Sequence, residues 1–162
     1  MAHKGSEAES LLRKSIQYCG VKARLVRLAD TADAQAVGGA GLQEQPSDYI
    51  LFWGTLGGFL EVKQSADMVG FPLKNVAKSQ WATVARAKVG DHSYDFFILS
   101  TACDRVYLIE GEFLHDCKVR GLSRVPWLLL QNKALGWVLG AGNTRYVALE
   151  PLFRAYERRA GL

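Results

Sequence analysis

The sequence predicts a mixed α/β domain in which a central mixed β-sheet is flanked by helices. Three observations predict it. The chain has 162 residues, enough for one core and too few for two cores of ordinary size. Hydrophobic residues make up 49% and charged residues 22%, far from the composition of a disordered, collagen-like or coiled-coil chain. Segments with apolar residues at helical spacing alternate with short β-rich runs in the order α, β, β, β, α, β, β, α, an order that packs helices around a sheet.

Each element has a local reason. Ser6 is placed to cap a helix through Glu7, Glu9, Leu11, Leu12 and Ile16, with Glu9 three residues on as in a capping box and a stop near Gly20. Val21 to Leu28 alternates well enough for a first strand. Ala29 to Gln45 is small, polar and carries Gly38, Gly39 and Gly41 without apolar periodicity, so a flexible loop is expected there. Asp48 to Trp53 and Phe59 to Gln64 flank Gly54-Thr55-Leu56-Gly57-Gly58 and read as a β-hairpin. Val76, Ala77, Trp81, Val84 and Ala85 suggest a helix within Leu73 to Val89. Tyr94 to Leu99 and Arg105 to Ile109 are two further strands around a turn at Ala102 to Asp104. Pro151 opens a last helix that turns Leu152, Phe153 and Tyr156 inward.

Composition narrows the function classes. No apolar run approaches the roughly 18–20 residues of a membrane span, and Val125 to Leu130 is short and broken by Pro126. The N-terminal residues have no apolar signal-peptide core, so a cytoplasmic location is expected. Cys19, Cys103 and Cys117 are widely spaced and odd in number, which predicts reduced, mostly buried thiols rather than a disulfide framework or a zinc ribbon. The four tryptophans, Trp53, Trp81, Trp127 and Trp137, are scattered and read as core. The formal net charge of +4 admits an anionic partner without identifying one.

The hairpin carries the chemistry. Along its second strand Phe59, Glu61 and Lys63 share one face. A turn centred at Thr55 and Leu56 would set Asp48 opposite Lys63 and Ile50 opposite Glu61, making Asp48 and Glu61 diagonal neighbours with Cα atoms roughly 7–8 Å apart. Two carboxylates with nearby carbonyl oxygens form a hard oxygen site suited to Mg²⁺ or Mn²⁺. Lys63 beside them can orient a water or stabilise charge on a phosphate, so the set is equipped for phosphodiester hydrolysis. A surface hairpin can also carry Asp, Glu and Lys with no chemistry at all.

The surrounding residues favour chemistry. Gln45-Pro46-Ser47-Asp48-Tyr49 followed by Phe59-Leu60-Glu61-Val62-Lys63 resembles the PD-(D/E)xK nuclease signature. Phe71-Pro72-Leu73-Lys74-Asn75, with Gln80 nine positions after Phe71, resembles the segment after ExK in RecU-type Holliday junction resolvases, and Gly5 and Glu9 match that family's first helix. The resemblance implies a restriction-endonuclease-like core and a Mg²⁺- or Mn²⁺-dependent endonuclease that resolves four-way DNA junctions in recombination and repair. It implies Asp48, Glu61 and Val62 as metal ligands, Glu9 as an outer ligand, Lys63 as the water-positioning or charge-stabilising group and Gln80 as a supporting polar residue. Compactness fits a phage-encoded member acting in a bacterial cytoplasm.

Lys74 and Lys78, four apart and expected on one helix face, are candidates to track a DNA backbone into the site, with Lys4 and Lys14 as further candidates. His115-Asp116-Cys117 lacks ligand spacing on a helix. A homodimer is expected, because two strands related by a two-fold axis are cut by two sites in that relation. One departure stands out: the family's long, basic stalk has only Ala29 to Gln45 in its place, with Asp30, Asp33 and Glu44 as its charges. Other branched or duplex DNA is therefore the competing substrate, and a junction-binding protein that does not cut is the competing class.

Overall fold

The computed structural model describes residues 6–28, 46–89, 92–133, 138–139 and 145–162. The expected loop at 29–45 and Lys4, Gly5 and Trp137 lie outside the described residues. The architecture is mixed α/β, with a five-stranded mixed sheet flanked by helices.

Helix α1 (Glu7–Gln17) starts at the capping box its sequence specifies. The Ser6 hydroxyl accepts the Glu9 N–H at 3.2 Å, and the Glu9 carboxylate accepts the Ser6 N–H at 3.0 Å. Strands β1 (Ala23–Arg27), β2 (Tyr49–Trp53) and β3 (Leu56–Ser65) form an antiparallel meander. β3 then pairs in parallel with β5 (Ser93–Ser100), and β5 pairs antiparallel with β6 (Arg105–Glu110). The sheet order is β1-β2-β3-β5-β6. The parallel step requires a crossover. It runs through β4 (Gly70–Pro72), a 3₁₀ turn (Leu73–Asn75) and helix α2 (Lys78–Val89).

The helix expected within Leu73 to Val89 is thus split. Val76 is extended (φ −97°, ψ 121°), so the 3₁₀ turn closes before α2 begins. Beyond β6 the structure adds elements that apolar periodicity did not mark: α3 (Gly111–Val119), β7 (Arg124–Pro126), α4 (Trp127–Gln131), β8 (Val138–Leu139) and β9 (Tyr146–Val147), before α5 (Glu150–Arg159). β4 and β7 pair so closely that a Cβ at Gly70 would fall on the Val125 carbonyl.

The sheet carries a core on each face. Leu60, Val62, Phe97, Leu99 and Leu108 pack with Leu11 and Leu12 of α1 and Leu152 and Phe153 of α5. Phe96, Ile98, Tyr107 and Ile109 pack with Trp81 and Val84 of α2, Leu114 of α3 and Trp127 of α4. β5 is buried along its whole length, as a strand covered on both faces must be. Among the cysteines, Cys117 is buried and Cys19 half-buried, but Cys103 is exposed in the turn after β5, where the expectation of a buried thiol fails.

Candidate active site

The β2–β3 hairpin is tighter than expected. Trp53 pairs with Leu56 and Tyr49 with Leu60, so the turn is Gly54-Thr55, with Gly54 at φ +61°. Glycine takes that left-handed conformation without a Cβ penalty. The register is shifted by two residues from the expected one. Asp48 comes beside Glu61 instead of opposite Lys63, and Ile50 pairs with Phe59. A shift of two preserves the faces of a strand, so Glu61 and Lys63 still share one.

Glu61 is the centre of the cluster and is 1% exposed. One carboxylate oxygen, Oε1, accepts from Lys63 Nζ at 2.7 Å and from Gln80 Nε2 at 2.6 Å. The other, Oε2, accepts the Asp48 N–H at 3.2 Å. Burial pushes the Glu61 carboxyl up to about 7, against the opposing pull of the Lys63 ammonium; the Asp48 charge adds to the rise. Lys63 retains 18% side-chain exposure, so its ammonium sits between a buried acid and solvent.

Asp48 is held by a different device. Its Oδ2 accepts the Val62 N–H at 3.0 Å. β3 runs five residues past the point where β2 begins, so from Glu61 onward its backbone has no β2 partner. The N–H and C=O of one strand residue point to the same side. The Val62 carbonyl therefore opens beside Asp48, where no strand among the described residues pairs with it. Asp48, Glu61 and this carbonyl make an all-oxygen donor set of the kind hard cations take. Among the described residues no three His, Cys, Asp or Glu side chains gather at one point, so a cation at this place would have two carboxylates and backbone oxygen to draw on.

Gln80 joins two elements. Its Oε1 accepts the Ala77 N–H at 2.9 Å, capping the start of α2, while its Nε2 holds Glu61. Both bonds explain a polar side chain at this position. Tyr94, which the sequence pattern hid among strand hydrophobics, donates its hydroxyl to the Pro46 carbonyl at 2.6 Å and fixes the chain leading into Asp48. Burial, then the nearby Glu61 and Asp48 charges, push its phenol well above the ordinary range.

The remaining candidates fall elsewhere. The Glu9 carboxylate accepts from the Tyr49 hydroxyl at 3.0 Å and from the Ser6 N–H, and neither bond involves Asp48 or Glu61. Lys74 lies in the 3₁₀ turn and Lys78 is the first residue of α2, so the expected shared helix face does not exist, although both side chains are exposed. Lys14 is half-buried on α1. No helix among the described residues is long and apolar enough to cross a membrane. No protein-family model matches the chain, and no curated protein matches it.

Proposed function

We propose that the protein is a metal-dependent DNA endonuclease of the PD-(D/E)xK type, resolving four-way junctions as a homodimer. The observation that carries the reading is the convergence on buried Glu61 of Asp48, Lys63 and Gln80, from a strand start, a strand and a helix. The sheet order, with the acid-bearing hairpin beside a parallel crossover strand, supports a restriction-endonuclease-like core.

In this reading Asp48, Glu61 and the Val62 carbonyl would hold Mg²⁺ or Mn²⁺, which when bound would supply Lewis-acid polarisation and charge neutralisation. The chain's own groups do the rest. Lys63, anchored 2.7 Å from Glu61, directs its remaining N–H groups outward, where they orient the attacking water or meet a phosphate oxygen as charge builds. Gln80 fixes the Glu61 carboxylate and favours its ionised form. Asp48, tied to the Val62 N–H through Oδ2, keeps its second oxygen for the site. Glu9 serves from outside by holding the Tyr49 hydroxyl, one residue from Asp48. Lys74 and Lys78 contact the phosphate backbone individually, whereas Lys14 lies on α1, across the sheet from them.

The test uses purified protein with matched four-way, three-way, flap and linear DNA, in Mg²⁺ and in Ca²⁺. Cutting in Mg²⁺, selective for the four-way junction, with binding but little cutting in Ca²⁺, is the expected result. Absence of Mg²⁺- or Mn²⁺-dependent cleavage on every substrate would remove the nuclease reading.

A further inference from the structure

Beyond β3 the chain makes a four-residue connection whose outermost side chains are large, apolar and in water. Met68 is 76% exposed and Val69 62%. Beside them Leu128 and Leu129 of α4 are 71% and 37% exposed. Together they are an apolar ridge, and such a patch on a soluble protein marks a contact surface.

The ridge is held firmly. Asp67 Oδ1 accepts the Val69 and Gly70 N–H groups at 2.9 and 3.1 Å, and its Oδ2 meets Arg124 at 2.8 Å. Trp127 donates its backbone N–H to the Val69 carbonyl at 3.2 Å and its indole N–H to the Asp67 carbonyl at 2.8 Å. Gly70 pairs with Pro126. These bonds lock the connection to α4 and leave Met68 and Leu128 facing out.

Charge identifies the occupant. Residues 68–90 and 118–133 contain no Asp or Glu. Exposed Lys74, Lys78, Lys118 and Arg120 come from those runs, and the Leu73 N–H to Ser123 bond and the Lys118–Trp81 contact tie them into one layer. Self-association through this face would set cations against cations across a two-fold axis. A polyanion has the complementary charge, and a nucleic acid combines that charge with the apolar faces of its bases. Met68 also follows Lys63 by five residues, a reach of at most about 18 Å.

We propose that Met68 and Leu128 form a wedge that unstacks a base step of branched DNA a few nucleotides from the scissile phosphate facing Lys63. Apolar wedges that partly unstack a base step are an established way for proteins to hold distorted DNA. The proposal rests on the nuclease reading for its substrate, and it gives branch selectivity to a rigid element outside 29–45.

The test titrates the full chain in Ca²⁺ into four-way junctions carrying 2-aminopurine either at the branch or deep in one arm. The wild type is expected to raise branch fluorescence and leave the arm unchanged. Met68→Ala with Leu128→Ala, both at exposed positions that leave the fold intact, should abolish the rise and weaken junction binding roughly tenfold, with linear-duplex affinity unchanged. An unchanged rise in the double variant overturns the wedge. So does a double variant that loses self-association in sedimentation while still unstacking the branch, which would assign the ridge to a second copy. Cutting in Mg²⁺ on the same DNA separates the two ideas. Unstacking without cutting removes the nuclease reading and keeps the wedge, whereas junction-selective cutting by the double variant removes only the wedge.

Discussion

Two buried carboxylates, Glu61 and Asp95, lie on adjacent strands and differ in everything except burial. Glu61 is 1% and Asp95 0% exposed, and burial lifts both, to about 7 and about 6. Glu61 is met by three donors and borders an open strand edge beside Asp48. Neither oxygen of Asp95 has a hydrogen-bond partner among the described residues, and its nearest cation, Arg159, stands 3.6 Å away while also facing Glu110 at 3.5 Å. A cavity of about 700 Å³, lined in part by Ser93, Glu110, Tyr156 and Arg159, opens at that end of the sheet. This cavity is thus not where the donors converge. A perturbed acid is common to both regions, and convergent donors with a half-buried ammonium occur in one.

The comparison breaks most decisively at the acids. Asp48→Asn and Glu61→Gln are each expected to lower Mg²⁺-dependent cutting by about 10³-fold or more while junction binding in Ca²⁺ stays near wild type, because each removes charge from the donor set and none from the basic surface. Gel-based cleavage and binding assays check this, and two active variants would place the chemistry elsewhere. Next in size is Lys63→Ala, for which a roughly 10²-fold fall in single-turnover rate is expected with binding little changed. A matching loss of affinity would make Lys63 a DNA contact.

Gln80 sharpens the comparison, because its counterpart is what Asp95 lacks. Gln80→Ala is expected to slow cutting about tenfold and to move the acid limb of the pH–rate profile upward. Losing the Nε2 donor disfavours ionised Glu61. A purely structural role, through the Ala77 cap, would lower stability and leave the pH profile in place.

How much of this was written in the sequence depends on the range of the interaction. The capping box at Ser6 and Glu9, the hairpin and the inward residues of α5 are local patterns, and the structure carries all three. The face shared by Glu61 and Lys63 follows from strand alternation and survives a register error of two. The register itself turns on one glycine at φ +61°, which the string Gly54-Thr55-Leu56-Gly57-Gly58 leaves ambiguous. That Lys74 and Lys78 do not share a helix face is not legible in the sequence, because spacing cannot distinguish a 3₁₀ turn followed by an extended residue from a continuous helix. Tyr94, Asp67 and the Met68–Leu128 ridge depend on contacts between segments tens of residues apart, which carry no periodic signal.

The smallest effect, and the cleanest contrast with Glu61, is expected at Asp95. The groups facing it are Arg159 and Tyr156 of α5, Glu110 of β6 and Ser93 on its own strand. Burial raises its carboxyl from 3.8 to about 6, with Arg159 opposing and Glu110 adding to the rise. A raised acid favours the folded state while it is protonated. Its contribution is therefore fully present below pH 3.8 and is lost as pH climbs through about 6. Asp95→Asn removes that dependence. The Tm of the variant minus that of the wild type should increase between pH 4 and pH 7 and level off above, by several degrees at roughly 2–4 °C per kcal/mol for a chain of this size. Junction cutting should be unchanged, since Asp95 touches none of Asp48, Glu61, Lys63 or Gln80. A difference in Tm that is flat with pH would mean that Arg159 keeps Asp95 ionised in the folded chain, and the likeness between the two buried acids would then end at burial itself.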